Sequence, residues 1–349
     1  MIWRRRGTAA PPVQLDGPVV LRGRLWVGDR VEHDDGRVVV GADGLVEACG
    51  PTAQVEVPPD AREVTASWVG PGIADAHVHL AFGEPPQMLA GGVVAVRDLG
   101  APHRDAIRWR RLQAPRVEIA GPILTAPGGY PSRSWGSNGF AGFVDEPEQA
   151  ERFVTALVPN VDVVKLALEP RGGPVPTPEV SAAVVTAAHA AGAKVTAHAL
   201  SVEMVERALD SGVDELAHTP VEPLPDEVVA RIATAGVRVV STMQTLLRDS
   251  GSGGVLVNAR AFVDAGVELR YGTDLGNAGT RPGADPGELR LLAETGLGAD
   301  GALRAATMPI TVGSPAGVVA LSTDPRVDPR TWRRPVAVVC ATALLTAGT

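Results

Sequence analysis

Residues 161–200 read VDVVKLALEPRGGPVPTPEVSAAVVTAAHAAGAKVTAHAL. Two short apolar runs, VDVVKLAL and AKVTAHAL, flank an Ala-rich segment of helical period, PEVSAAVVTAAHAAG, that ends on glycine. A near-continuous Val/Leu/Ala run of strand length is the pattern of a strand covered on both faces, and a glycine closing a helical segment sits where a helix C-cap belongs. Strand, helix, strand in this order predicts two parallel strands joined by a helical crossover. Each run also carries a polar side chain that a buried strand does not need, Lys165 in the first and His198 in the second.

The same rhythm extends in both directions. GIADAHVHL, GVVAVRDLG and VEIAGPILTA precede the stretch; GVDELAHT, VRVVSTM and VELRYGTDL follow it. Helical segments such as SVEMVERALDSG, PDEVVARIATAG and NARAFVDAG lie between them. Eight buried-type strands separated by helices over roughly 240 residues predict a (β/α)8 TIM barrel spanning 70–310. Residues 1–69 instead show short strands, with DDG and ADG as turns between β-branched runs, and 311–349 return to β character in GVVALSTDP and RPVAVVCATALL. The two ends are expected to build one small β-sandwich-like domain, its N-terminal part a small antiparallel sheet.

Composition narrows the functional classes. The chain has 349 residues, 45% of them hydrophobic, and a net charge of -8. An acidic surface without a basic cluster argues against nucleic acid or an anionic membrane as partner. The start, MIWRRRGTAAPPVQ, is positively charged but has no apolar segment behind it, so no signal peptide is expected, and no apolar run is long enough to span a bilayer. Cys49 and Cys340 are too few for a disulfide framework. A cytoplasmic location is the expectation.

The polar residues of the eight runs share one address. In HVH the two histidines are separated by one residue, so in a strand His77 and His79 point to the same face, about 6.5 Å apart. Reading each run to its polar residue, the first ends in this pair, the fourth in Lys165, the fifth in His198, the sixth in His218 and the eighth in Asp274. Strand C-termini of such a barrel converge on one mouth, where its active sites lie. Taken singly, a strand-end histidine is a satisfied polar group, Lys165 a snorkelling lysine and Asp274 a turn cap; six together favour a shared pocket. Imidazole and carboxylate are ligands that suit zinc. His33, His103 and His189 read as residues of a turn, a loop and a helix, without a role.

On these motifs, HVH after PGIADA, the lysine of DVVKLAL, the histidines of VTAHA and GVDELAHTP and the aspartate of YGTDLG, the chain resembles the amidohydrolase superfamily. VAVRDLG and GPILTAPGG resemble its imidazolonepropionase-like and prolidase-like branch. The resemblance implies one divalent metal, usually zinc, on His77 and His79 and a second on His198 and His218. It further implies that Lys165, carbamylated by CO2, bridges the two, and that Asp274 completes the first site and acts as the base. A metal pair activates water at neutral pH and polarises the carbonyl under attack. The implied function is a metal-dependent hydrolase that cleaves an amide or cyclic-amide C–N bond of a small molecule by a metal-activated hydroxide. The alternatives are a non-hydrolytic cyclase, dehydratase or isomerase using the same site, and last a non-catalytic metal-binding scaffold. The glycine-rich loop GGYPSRSWGSNGF offers Tyr130, Arg133 and Trp135 as substrate contacts, since βα loops set specificity on this fold. Arg133 suits a carboxylate. The loop lacks the further histidine of the prolidase-like branch, which disfavours a dipeptide substrate. The segment after ALRAAT is also shorter than usual, and superfamily habit implies a homo-oligomer.

Overall fold

A computed structural model describes residues 12–29, 31–250 and 253–346. Most of the charged start, on which the signal-peptide expectation rests, lies outside the described residues. The stretch 161–200 folds as its pattern predicts. All six residues of strand Val163–Leu168 are buried, and the strand pairs in parallel with Lys194–Ala199, placing Lys165 opposite Thr196 and Ala167 opposite His198. Helix Pro178–Ala190 crosses between them. Thr177 caps it by accepting the Val180 N–H at 3.3 Å, and Pro178 occupies the first turn, where a missing N–H costs nothing. Gly192, just past the helix end, takes the left-handed φ of 78° that glycine adopts without strain.

One parallel sheet runs in the order Ala141–Phe143, Ile123–Thr125, Val163–Leu168, Lys194–Ala199, Glu215–Leu216, Arg238–Val240, Leu269–Arg270, and a second holds Ile73–Val78, Val93–Asp98 and Arg116–Ile119. Backbone hydrogen bonds cross both gaps between them. Ala76 N–H donates to Tyr271 O at 2.9 Å, Asp274 N–H to His77 O at 2.9 Å, and Asp162 N–H to Ile119 O at 2.8 Å. The architecture is a TIM-barrel-like α/β fold.

Several expectations need correction. The run VEIAGPILTA breaks into Arg116–Ile119 and Ile123–Thr125, because Gly121 takes φ 67° and Pro122 has no N–H to give a neighbouring strand. Lys165 does not end its strand; it is the third of six residues, and the chain stays extended to Leu168. His218 and Asp274, by contrast, lie beyond regular strands of only two residues each. DDG does not turn but lies inside strand Glu32–Val40, where the Asp35 carboxylate accepts from Arg22 at 3.0 Å and Thr52 at 2.9 Å. The turn falls earlier, where Val27 N–H meets Val31 O at 3.1 Å. His33 is therefore a strand residue, and His103 opens helix His103–Arg110 rather than lying in a loop.

The remaining strands form one eight-stranded sheet that includes both Val13–Gln14 and Ala343–Thr346, paired antiparallel. It is mixed rather than antiparallel, since Val19–Trp26 runs parallel to Arg62–Pro71. Period-two alternation splits its faces: Val319 and Leu321 join the large core with Trp68 and Trp332, while Val318 and Ala320 join a separate cluster with Leu21 and Val69. Trp68 and Trp332 meet edge-on at 6.1 Å where the sheet packs on the barrel-like domain. Cys49 and Cys340 are free thiols. Among the described residues, no helix is long and apolar enough to cross a membrane.

A buried clasp ties strand Ile73–Val78 to the segment that follows Leu269–Arg270. The Asp75 carboxylate accepts Thr273 N–H at 3.1 Å, Thr273 Oγ–H at 2.6 Å and His77 N–H at 3.1 Å. Asp75→Ala leaves these buried donors without their acceptor, so we expect it to lower the unfolding free energy by about 2–4 kcal/mol. Urea denaturation checks this; an unchanged midpoint would mean the clasp carries no stability.

Candidate metal centre

The two histidines of HVH are held from behind by backbone carbonyls. His77 Nδ1 lies 2.8 Å from Ala217 O and His79 Nδ1 lies 3.1 Å from Gly100 O. A carbonyl only accepts, so each Nδ1 carries a proton, and in the neutral ring Nε2 then presents a lone pair. Both Nε2 atoms sit 3.4 Å from the same oxygen, Oδ1 of Asp274. His77 Nε2 is buried with no hydrogen-bond partner.

A second pair of imidazoles adjoins the first. His198 Nε2 donates to Glu169 Oε2 at 3.3 Å, which leaves Nδ1 unprotonated and facing His218 Nε2 at 3.0 Å. The other nitrogen of His218 meets the Thr242 hydroxyl at 3.0 Å and lies 3.9 Å from Asp274 Oδ2. Burial lowers the pKa of His77 and His218 well below the ordinary imidazole value, with further cost from neighbouring positive charge, so both are neutral and able to ligate.

This geometry fits a divalent metal. Unshared lone pairs of imidazole and carboxylate repel one another at 3.4 Å unless a cation lies between them. Two atoms each about 2.0–2.1 Å from one tetrahedral ion stand about 3.3 Å apart, close to the separations seen here. His77, His218 and Asp274 offer ligand atoms all within 4.8 Å of one another.

Lys165 lies deeper in the same parallel strands. It is two strand positions below the residue opposite His198, about 6.6 Å deeper along the strand. Its side chain is 2% exposed and its Nζ has no hydrogen-bond partner. Burial pushes its pKa down to about 7; the Asp274 carboxylate opposes this, and the Arg97 guanidinium adds to it. Arg97 belongs to a buried ionic cluster on Glu215, which also binds Thr196 at 2.9 Å and Arg270 at 3.3 Å.

Two residues at the mouth adopt left-handed backbone, Thr242 at φ 44° and Asp274 at φ 51°. Such conformations cost non-glycine residues energy and concentrate at functional sites. Of the glycine-rich loop, the structure brings two of the three expected residues to the histidines. Trp135 packs at 4.8 Å from the His79 ring, Tyr130 at 5.0 Å from the His198 ring, and Trp135 Nε1–H donates to the Tyr130 hydroxyl at 3.0 Å. Arg133 is exposed, with its guanidinium lying over Gly128.

Sequence reading missed three neighbours of the site. Asp98 accepts Leu80 N–H at 2.7 Å and Gly100 N–H at 3.2 Å, fixing the segments that flank His79 and hold its carbonyl partner. Glu169 backs His198, and Thr242 backs His218. Asp98 and Glu169 are themselves acids at strand ends, in AVRD and KLALE, so the reasoning that found the histidines could have reached them.

Residues 68–309 match the Amidohydrolase family. An uncharacterized protein of Mycobacterium tuberculosis is 26% identical over 322 residues, which cover 78% of this chain and 84% of that protein. A candidate prolidase of Bifidobacterium longum has a similar structure, with a TM-score of 0.82, 24% identity and 96% of each chain covered. The ochratoxinase of A. niger superposes with a TM-score of 0.78 at 19% identity, over 95% of this chain and 96% of that one. These two likenesses concern the fold. The family match spans well over half of the sequence and contains all four paired histidines, Lys165 and Asp274: the chain belongs to the amidohydrolase family.

Proposed function

We propose that this protein is a metal-dependent hydrolase acting on an amide or related C–N bond of a small molecule. The observation that carries the reading is the convergence of imidazole lone pairs on Asp274 Oδ1 above an unpartnered buried lysine. His77, His79 and Asp274 would hold one zinc ion, His198 and His218 a second, with Lys165 as its CO2-derived carbamate between them. Bound there, the ions would supply Lewis-acid polarisation of the substrate carbonyl and acidify water. Asp274 takes the proton of the attacking water and returns it to the leaving nitrogen. Tyr130 and Trp135 wall the pocket with rings and shield it from bulk water. The candidate prolidase and the ochratoxinase are hydrolases by name, in agreement with this reading. In the same proposal the barrel closes with eight strand positions over 70–310, Arg116–Ile119 and Ile123–Thr125 sharing one of them and Ala141–Phe143 being an added edge strand, and 1–69 with 311–349 form one β-domain beside it.

Purified protein should carry about one to two equivalents of zinc or another divalent ion. His77→Ala and His198→Ala should each reduce that content. Elemental analysis showing no ion, before and after mutation, would remove the proposal. Turnover is then sought with cyclic amides, N-acyl amino acids and lactones, and entry of ¹⁸O from water into product separates hydrolysis from cyclisation or isomerisation.

A further inference from the structure

We propose that Glu169 is a positioning residue that aims His198 Nδ1 into the metal centre, so that its loss weakens ion binding at the His198–His218 end alone. The inference rests on the metal-centre reading above. His77 and His79 lean on backbone carbonyls and His218 on a hydroxyl. Among these four rings, His198 alone has its outward nitrogen hydrogen-bonded to a carboxylate, at 3.3 Å from Nε2. That carboxylate fixes the proton on Nε2 and makes the imidazole a stronger base at Nδ1, the nitrogen that faces His218 Nε2 at 3.0 Å.

Glu169 is built to stay in place. It follows Leu168, the last residue of the strand that carries Lys165, and is 8% exposed. Its Oε1 accepts Arg171 N–H at 3.0 Å and Arg171 Nε–H at 3.2 Å, which starts the turn Pro170–Gly172, and its Oε2 accepts a longer bond from Arg171 Nη2 at 3.5 Å beside that from the histidine. Hydrogen bonds from His198 and Arg171 meet both carboxylate oxygens and offset the cost of burying them. Tyr130 lies against the His198 ring, tilted by 35°. With both oxygens engaged, Glu169 has no free lone-pair direction to reserve for a substrate ammonium group; its partner is the imidazole.

The test is a zinc titration against a competing chelator, run on wild type, Glu169→Gln, Glu169→Ala and His198→Ala, with thermal unfolding of each metal-free protein. Wild type should bind two ions. Glu169→Ala should keep one ion at unchanged affinity and bind the ion that His198→Ala also weakens about 10–100-fold more weakly. Glu169→Gln, which keeps an acceptor without its charge, should fall between. The metal-free melting temperature should move by less than about 2 °C. Two ions bound by Glu169→Ala as tightly as by wild type would overturn the inference. Equal weakening of both ions with a lower melting temperature would also overturn it, by making Glu169 a general support of the fold; if Glu169→Ala folds poorly, Glu169→Gln decides. A wild type that binds fewer than two ions fails earlier, and identifies the metal-centre reading as the fault.

Discussion

Asp274→Asn should keep most of the bound metal and lose turnover by roughly 10²–10⁴-fold, the usual worth of a positioned acid–base group. The substitution is close to silent for the backbone. Asp274 sits at φ 51°, in a region where Asn is as well tolerated as Asp. Its main chain is tied independently of the side chain, by N–H to His77 O at 2.9 Å and by the Asn277 amide donating to its carbonyl at 3.0 Å. An amide oxygen could still serve an ion held by His77 and His79, but it cannot accept and return a proton. Zinc content and single-turnover rate, measured on the same preparation, check the two halves separately. A variant with full metal and near wild-type turnover would place the proton transfer on another group.

Much of the fold was legible because buried parallel strands advertise themselves. A run such as VVKLAL, buried at every residue, has no polar face to alternate with, and its Ala-rich partner helix ends on a glycine that takes positive φ. What escaped was decided by contacts the pattern does not contain. VEIAGPILTA reads as one apolar run, and only the dihedral of Gly121 and the missing amide of Pro122 show that it breaks. DDG looks like a turn until Arg22 and Thr52 arrive from neighbouring segments to hold Asp35 in a strand.

The site divides in the same way. A histidine or lysine inside an apolar run demands a reason, so His77, His79, Lys165, His198, His218 and Asp274 stand out from sequence alone. Which ring nitrogen each histidine turns inward does not, because that depends on the Ala217 and Gly100 carbonyls, Glu169 and Thr242, all distant in sequence from the rings they hold. Loop residues were the least legible. Tyr130 and Trp135 reach the histidines because Trp135 packs on Phe82 and on the loop's own Phe140, whereas Arg133, three residues from Tyr130, lies over Gly128 instead.

The largest change in metal binding is expected at Lys165, and it should come with a gain in stability. In metal-free, CO2-free protein this side chain is a lysine without a partner in the core. Its folded pKa of about 7 lies below the ordinary lysine value of about 10.4. Between those values the unfolded chain binds a proton that the native state does not. Stability must therefore rise with pH through that window, by roughly 1.4 kcal/mol for each unit separating the two pKa values. Lys165→Met, of similar length and without charge, should flatten this slope and be the more stable protein at pH 7, as expected when an unpaired buried charge is replaced by an apolar chain. The same change removes the group that CO2 would convert to a two-oxygen anion, so the variant should bind less zinc and lose activity. Lys165→Ala should behave alike toward metal but leave room where the side chain stood, and added formate or acetate should then restore part of both binding and turnover. Denaturation from pH 7 to 10, zinc titration and rescue assays check these three expectations. A bare Lys165 amine beside a single ion, in zinc-saturated crystals equilibrated with CO2, would sink the bridged pair and leave this lysine a different role.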